Sequence, residues 1–225
     1  MNSPQPDDYI DIHNHGSISA EGQFSIENLM AHENRVPDHA VGLTYSIGIH
    51  PWHLTDEDHK WQIESVGKYS SHPNVIALGE AGFDKIRGPS AELQKTAFEE
   101  QVRIADENSR PVFIHCVRAW EELVAENKKL KPSTTWIIHG FRGKKELAMQ
   151  LISKGMYLSF WFDFVLRPEA ADLLKVLPRD KIFLETDGSG VNIRTVYEKV
   201  ARDLVMPVAE LKKVLYSNFK NVFGG

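Results

Sequence analysis

The stretch VIALGEAG, residues 75–82, is apolar at almost every position until it reaches Glu80. A strand with one wet face alternates apolar and polar residues, whereas a strand covered on both faces reads as a continuous apolar run. This stretch therefore predicts a buried strand of a parallel sheet, with a carboxylate near its carboxyl end that needs explaining. Outward from it, the same kind of run recurs as YIDIHNH (9–15), GLTYSIGIHP (42–51), PVFIHCV (111–117), TTWIIHG (134–140), MYLSFWF (156–162) and KIFLETD (181–187). FSIENLM (24–30) is a weaker candidate for one more short strand.

Amphipathic stretches lie between these runs. In KKELAMQLISKG (144–155), Leu147, Ala148, Leu151 and Ile152 make one stripe, and Gly155 stands where a helix would stop. In RPEAADLLKVLP (167–178), Pro168 suits a first turn, and Ala170, Leu173, Leu174 and Leu177 face one way. From Asn192 onward the chain reads as helix, with a break near Pro207. Strand–helix alternation repeated seven or eight times predicts a compact TIM-type (β/α) barrel in one domain over residues 1–225; a doubly wound open sheet is the alternative.

Composition narrows the class. With 42% hydrophobic and 25% charged residues, the chain has the balance of a globular protein. No apolar run reaches the roughly 18 residues of a membrane span, and the opening MNSPQPDD lacks the pattern of a signal peptide. A lone cysteine, Cys116, excludes an internal disulfide and suits a reducing compartment, so the expectation is a cytoplasmic protein with no obligate protein partner. The net charge of −5 argues against a broadly basic nucleic-acid surface, although a metal site can invert the local sign.

The polar residues inside the apolar runs are mostly of metal-ligand type, and they sit toward the carboxyl ends. They are His13 and His15, His50, Glu80, His115, His139 and Asp187. His13 and His15 are two apart, about 6.6 Å along a strand, and on one face if the strand continues. In a barrel the carboxyl ends meet at the rim where active sites are built. Such a set is too regular for independent surface residues, and it points to metal binding.

The motifs DIHNHG (11–16), GIHPW (48–52), GEAGFDK (79–85), FIHCVRAW (113–120), IIHGFRG (137–143) and LETDG (184–188), in that order, resemble the TatD family of metal-dependent hydrolases. The ending YSNFKNVFG (216–224) is also similar to that family's last helix. The resemblance implies metal ligands at His13, His15, Glu80, His115, His139 and Asp187. It further implies a phosphodiesterase, DNase-like and acting on 3′ ends, with nucleic acid or another phosphodiester as substrate. Three features depart from the family pattern: Arg118 follows His115 by three residues, Gly188 follows Asp187, and the stretch between His15 and GIHP is short.

Two divalent ions against the carboxylates of Glu80 and Asp187 leave a net positive site that attracts a phosphodiester, with ions about 3.5–4 Å apart clamping it. Glu80 is the expected bridging carboxylate and Asp187 the expected general base for a metal-activated hydroxide. Zinc, manganese, magnesium and iron are all candidates. His50 and Arg118 are candidate substrate contacts. Amide, ester or lactone hydrolysis with the same metals is the alternative activity, and a non-catalytic metal-stabilised binding protein is the other. Arg142, Lys144 and Lys145 read as a solvated helix start, the aromatics of SFWFDF as core, and His32, His39, His53, His59 and His72 receive no role.

Overall fold

The computed structural model describes residues 3–16 and 20–224, so Met1 and Asn2 of the opening stretch lie outside it. Eight strands form one sheet in chain order. They are β1 (Tyr9–Asn14), β2 (Gln23–Met30), β3 (Tyr45–Gly48), β4 (Val75–Asp84), β5 (Val112–Val117), β6 (Trp136–Ile138), β7 (Tyr157–Trp161) and β8 (Ile182–Glu185). The helices are α1 (His59–Tyr69), α2 (Ala91–Glu107), α3 (Trp120–Leu130), α4 (Lys145–Ile152), α5 (Phe162–Val165), α6 (Pro168–Val176), α7 (Ile193–Asp203) and α8 (Val208–Phe223). Parallel strands in sequential order, with helices in the connections, make a TIM-type α/β barrel. No described helix is long and apolar enough to cross a membrane.

The chain divides into two compact units, residues 1–27 with 139–225, and residues 28–138. In the first, β1 packs beside β8, and Ile10, Ile12, Leu158, Phe160, Phe183 and Leu184 are buried. The buried face of α7 is formed by Ile193, Val196, Tyr197, Val200 and Ala201. Asn192 starts that helix by accepting from the Arg194 N–H at 2.9 Å, which satisfies one of its orphan donors. The Tyr197 hydroxyl accepts from the Ile10 N–H at 2.9 Å and donates to the Ile10 carbonyl at 3.1 Å, pinning α7 to the middle of β1.

In the second unit all ten residues of β4 are buried, as the run around VIALGEAG predicts. Phe98 of α2 meets Trp136 of β6 edge to face at 5.2 Å in its core. β3 and β4 approach so closely that a Cβ at Gly48 would lie 2.4 Å from the Gly79 backbone, and a Cβ at Gly79 would lie 2.3 Å from the Phe113 carbonyl. Only glycine fits at either position, and the Gly79 backbone also has φ +100°.

One element differs from expectation. β2 is a full eight-residue strand rather than a short one, and its burial largely alternates because Gln23, Ser25 and Glu27 hold its outer face. Between β2 and β3, residues 31–44 hold a 3₁₀ turn at Ala31–Glu33 and no α-helix.

Candidate metal centres

The first unit gathers His13, His15 and Asp187, whose ligand atoms lie within 4.8 Å of one another. His15 Nε2 is 3.4 Å and His13 Nε2 3.9 Å from Asp187 Oδ1. β1 ends at Asn14, so His15 stands in a bend and not on the strand. The bend, in place of side-chain alternation, turns its ring nearly perpendicular to that of His13, with centroids 5.2 Å apart. Asp187 follows β8 in a left-handed turn at φ +51°, and its N–H donates to the His13 carbonyl at 3.1 Å. His139, one residue past β6, brings its ring to 4.3 Å from that of His13.

Glu185, fully buried at the end of β8, orients His139. Its Oε1 accepts from His139 Nδ1 at 2.9 Å and from the Gly140 N–H at 2.8 Å, while its Oε2 accepts from the Ser159 hydroxyl. The Nδ1 proton is thereby committed to Glu185, and Nε2 is the nitrogen left for an ion. A carboxylate behind an imidazole is the usual arrangement around a metal-binding histidine. Asp11, beneath His13, accepts from the Thr186 N–H at 3.0 Å and the Thr186 hydroxyl at 2.6 Å. Burial outweighs those two hydrogen bonds and, with Glu185 nearby, pushes the Asp11 carboxyl up to about 7.

The second unit gathers His50, Glu80 and His115, all buried. Glu80 Oε1 is 2.8 Å from His115 Nδ1 and 3.2 Å from His50 Nε2. The Glu80 N–H donates to Asn28 Oδ1 at 3.2 Å, and the same oxygen accepts from the Ser46 hydroxyl at 3.1 Å. His115 Nε2 faces Asp84 Oδ2 at 3.3 Å, and that oxygen also accepts from the Trp52 indole at 2.6 Å. Burial raises the Asp84 carboxyl, but the hydrogen bonds from Trp52, the Ile86 and Arg87 N–H groups and His115 outweigh it and hold the group below its ordinary value. With its Nε2 proton on Asp84, His115 turns an unprotonated Nδ1 toward Glu80, a nitrogen that could hold an ion as Nε2 of His139 could.

His50 has a different tautomer. Its Nδ1 accepts the Trp52 N–H at 3.1 Å, so the neutral ring carries its proton on Nε2, aimed at Glu80. That makes His50 a donor rather than a ligand. Arg118 sits exposed at φ +54° beyond β5, and among the described residues no ion pair joins it to either cluster. Cys116 is half-buried and its thiol is pushed up to about 12 by desolvation, which removes it as a nucleophile near neutral pH.

Sequence reasoning passed over Glu185, Asp84, Asp11 and Asn28. Asp11, Asp84 and Glu185 lie in DIHNHG, GEAGFDK and LETDG, where a polar residue in an apolar strand was signal enough; their partners were not readable. Of the histidines given no role, His32 and His53 stack at 3.8 Å, His39 Nε2 lies 3.3 Å from His72 Nε2, and His59 pairs with Glu100 at 2.8 Å. In the first cluster two imidazoles stand against one carboxylate, and in the second His115 stands beside Glu80, a mixed nitrogen and oxygen donor set that fits zinc, manganese or iron better than magnesium.

The chain is 32% identical over 148 residues to the 3'-5' ssDNA/RNA exonuclease TatD of Escherichia fergusonii, covering 62% of this chain and 55% of that one. It is 31% identical over 165 residues to the 3'-5' ssDNA/RNA exonuclease TatD of Pantoea vagans, covering 62% of that chain. The matches thus span a little over half the length of these relatives. With the metal-dependent hydrolase YabD of Bacillus subtilis, the match is 28% over 198 residues, 79% of this chain and 76% of that one. In fold, the chain is similar to the TatD homolog YJJV of Escherichia coli, with a TM-score of 0.79 and 19% identity over 98% of this chain and 100% of that one. A family model described as TatD related DNase matches residues 23–224. Ordered motifs, strand-end histidines and a match that runs across both units together make this chain a member of the TatD related DNase family.

Proposed function

We propose that the protein is a divalent-metal-dependent phosphodiesterase that trims single-stranded nucleic acid from the 3′ end, in a reducing compartment such as the cytoplasm. The observation that carries this is the pair of imidazoles, His139 and His115, each held by a carboxylate on one nitrogen with the other directed into a histidine–carboxylate cluster. His13, His15, His139 and Asp187 would hold one ion; Glu80 and His115 would hold another. When bound, a divalent ion supplies Lewis-acid polarisation of the phosphoryl group and makes water a stronger acid.

The chain's own groups do the rest. Asp187 is half-buried on a turn, its Oδ1 already facing His15, and it accepts the proton of the attacking water. His50 keeps its Nε2 proton by accepting Trp52 on the other side, and donates it in a hydrogen bond to an anionic oxygen at the Glu80 cluster. Glu185 and Asp84 keep His139 and His115 in one tautomer through turnover. The relatives named as 3'-5' ssDNA/RNA exonucleases support the choice of substrate.

The test is metal analysis of the purified protein, then digestion of 3′-labelled and 5′-labelled single-stranded DNA beside a panel of acyl esters, lactones and amides. The expected result is metal-dependent release of mononucleotides from the 3′ end. Asp187→Asn should lower kcat by about 10²–10⁴-fold with KM nearly unchanged. Cleavage of acyl compounds alone overturns the assignment, and unchanged turnover in the variant removes Asp187 from proton transfer.

A further inference from the structure

Downstream of His139 the first unit carries a feature that neither cluster uses. α4 begins at Lys145 with Lys144 as its N-cap, and no side chain caps its first N–H groups. A helix N-terminus is already a positive pole, and stability favours acids there. This chain instead places Arg142, Lys144 and Lys145 at that pole, with Glu146 as the first turn's one acid. All three cations are exposed, and none makes an ion pair among the described residues. Self-repulsion of this kind is unfavourable unless an anion relieves it.

The same three residues line a cavity of about 570 Å³ together with Arg167 and the apolar Phe164, Leu173 and Val176. Glu169 and Asp172 also reach it, which leaves the lining net positive in a chain of net charge −5. Arg167 is drawn to Asp163 at 2.6 Å, whereas Arg142 lies over the Trp161 ring at 5.0 Å. That volume is large for one phosphate and fits a nucleotide, with apolar side chains for flat rings and cations for the backbone. Arg142 is three residues from His139, so their Cα atoms lie within about 11 Å.

We infer that this cavity, between the start of α4 and α6, is a docking groove for a single-stranded polynucleotide, holding the backbone beyond the reacting end. Its occupant rests on the nucleic-acid reading of the metal clusters. Arg142, Lys144 and Lys145 contact phosphates, and Phe164, Leu173 and Val176 receive a base.

The test pairs two measurements on the metal-loaded protein, wild type and K144E/K145E. Fluorescence anisotropy reads the affinity for a labelled phosphorothioate oligothymidylate of twelve residues, which survives turnover, across a salt titration. Hydrolysis of thymidine 5′-p-nitrophenyl phosphate reads the metal centres without a second nucleotide. We expect at least a tenfold loss of oligonucleotide affinity and a salt dependence shallower by about 1.4 in log–log slope, roughly 0.7 for each lost phosphate contact. The small diester should be cleaved within twofold of wild type, and K144R/K145R should restore affinity. Equal affinity and slope in wild type and K144E/K145E overturn the groove. Should the wild type hydrolyse neither diester nor DNA, the proposed activity fails, yet a tenfold binding loss in K144E/K145E still supports the groove and an unchanged affinity still overturns it.

Discussion

Glu185→Gln isolates what the buried carboxylate behind His139 contributes. The side chain keeps its shape, and its amide oxygen can stay on the Gly140 N–H and His139 Nδ1, which lie at 2.8 Å and 2.9 Å from Oε1. The new amide nitrogen then faces the Ser159 hydroxyl, which reverses to accept it. All three bonds survive, but each changes from a hydrogen bond to an ion, worth about 1.5–3 kcal/mol, to a neutral one worth about 0.5–1.5 kcal/mol. Relief from burying a charge offsets part of that loss, leaving an expected destabilisation of about 1–3 kcal/mol. The larger effect falls on the ion. Without the carboxylate, His139 Nε2 is a poorer donor, and affinity at the His13–His15–Asp187 cluster should drop about 10–100-fold. Titration of the apo-protein with zinc against a chromophoric chelator reads this directly, and urea unfolding reads the stability. One binding step should weaken while the other holds. A variant that binds both ions within twofold of wild type would refute the claim that Glu185 tunes His139.

Gly48→Ala should cost at least about 2–3 kcal/mol or abolish folding, because its Cβ would stand 2.4 Å from the Gly79 backbone; expression yield and thermal unfolding check it. Tyr197→Phe strips both the donor and the acceptor bound to Ile10 and should lower stability by about 2–4 kcal/mol, measured by chemical denaturation. Asp11 gives a pH signature. Its carboxyl rises from 3.8 to about 7 on folding, so over that interval the folded chain keeps a proton that the unfolded chain releases. The stability this group contributes is complete below about pH 4 and is lost as pH rises through 7, by about 4 kcal/mol in all. Asp11→Asn keeps the Thr186 hydrogen bonds and should flatten that slope in metal-free protein; an unchanged slope would locate the effect elsewhere.

Much of this was legible in the chain itself. A parallel strand covered on both faces tolerates few polar residues, so His13, His50, Glu80 and His115 stood out against their apolar neighbours without any structure. The same constraint marked the strands, and the 3.6-residue stripes and Pro207 marked α7 and α8. What the sequence alone left undecided was pairing. Glu80 and Glu185 are both glutamates in apolar strands, yet Glu80 meets two imidazoles while Glu185 turns to backbone, hydroxyl and ring donors. His50 and His115 are both strand-end histidines, but the Trp52 N–H engages Nδ1 of one while the Asp84 carboxylate faces Nε2 of the other. Periodicity reports which face a side chain occupies, because burial is a local property of the pattern. Which atom it meets depends on residues tens of positions away, 46 in the case of His139 and Glu185, and that the tertiary structure alone decided.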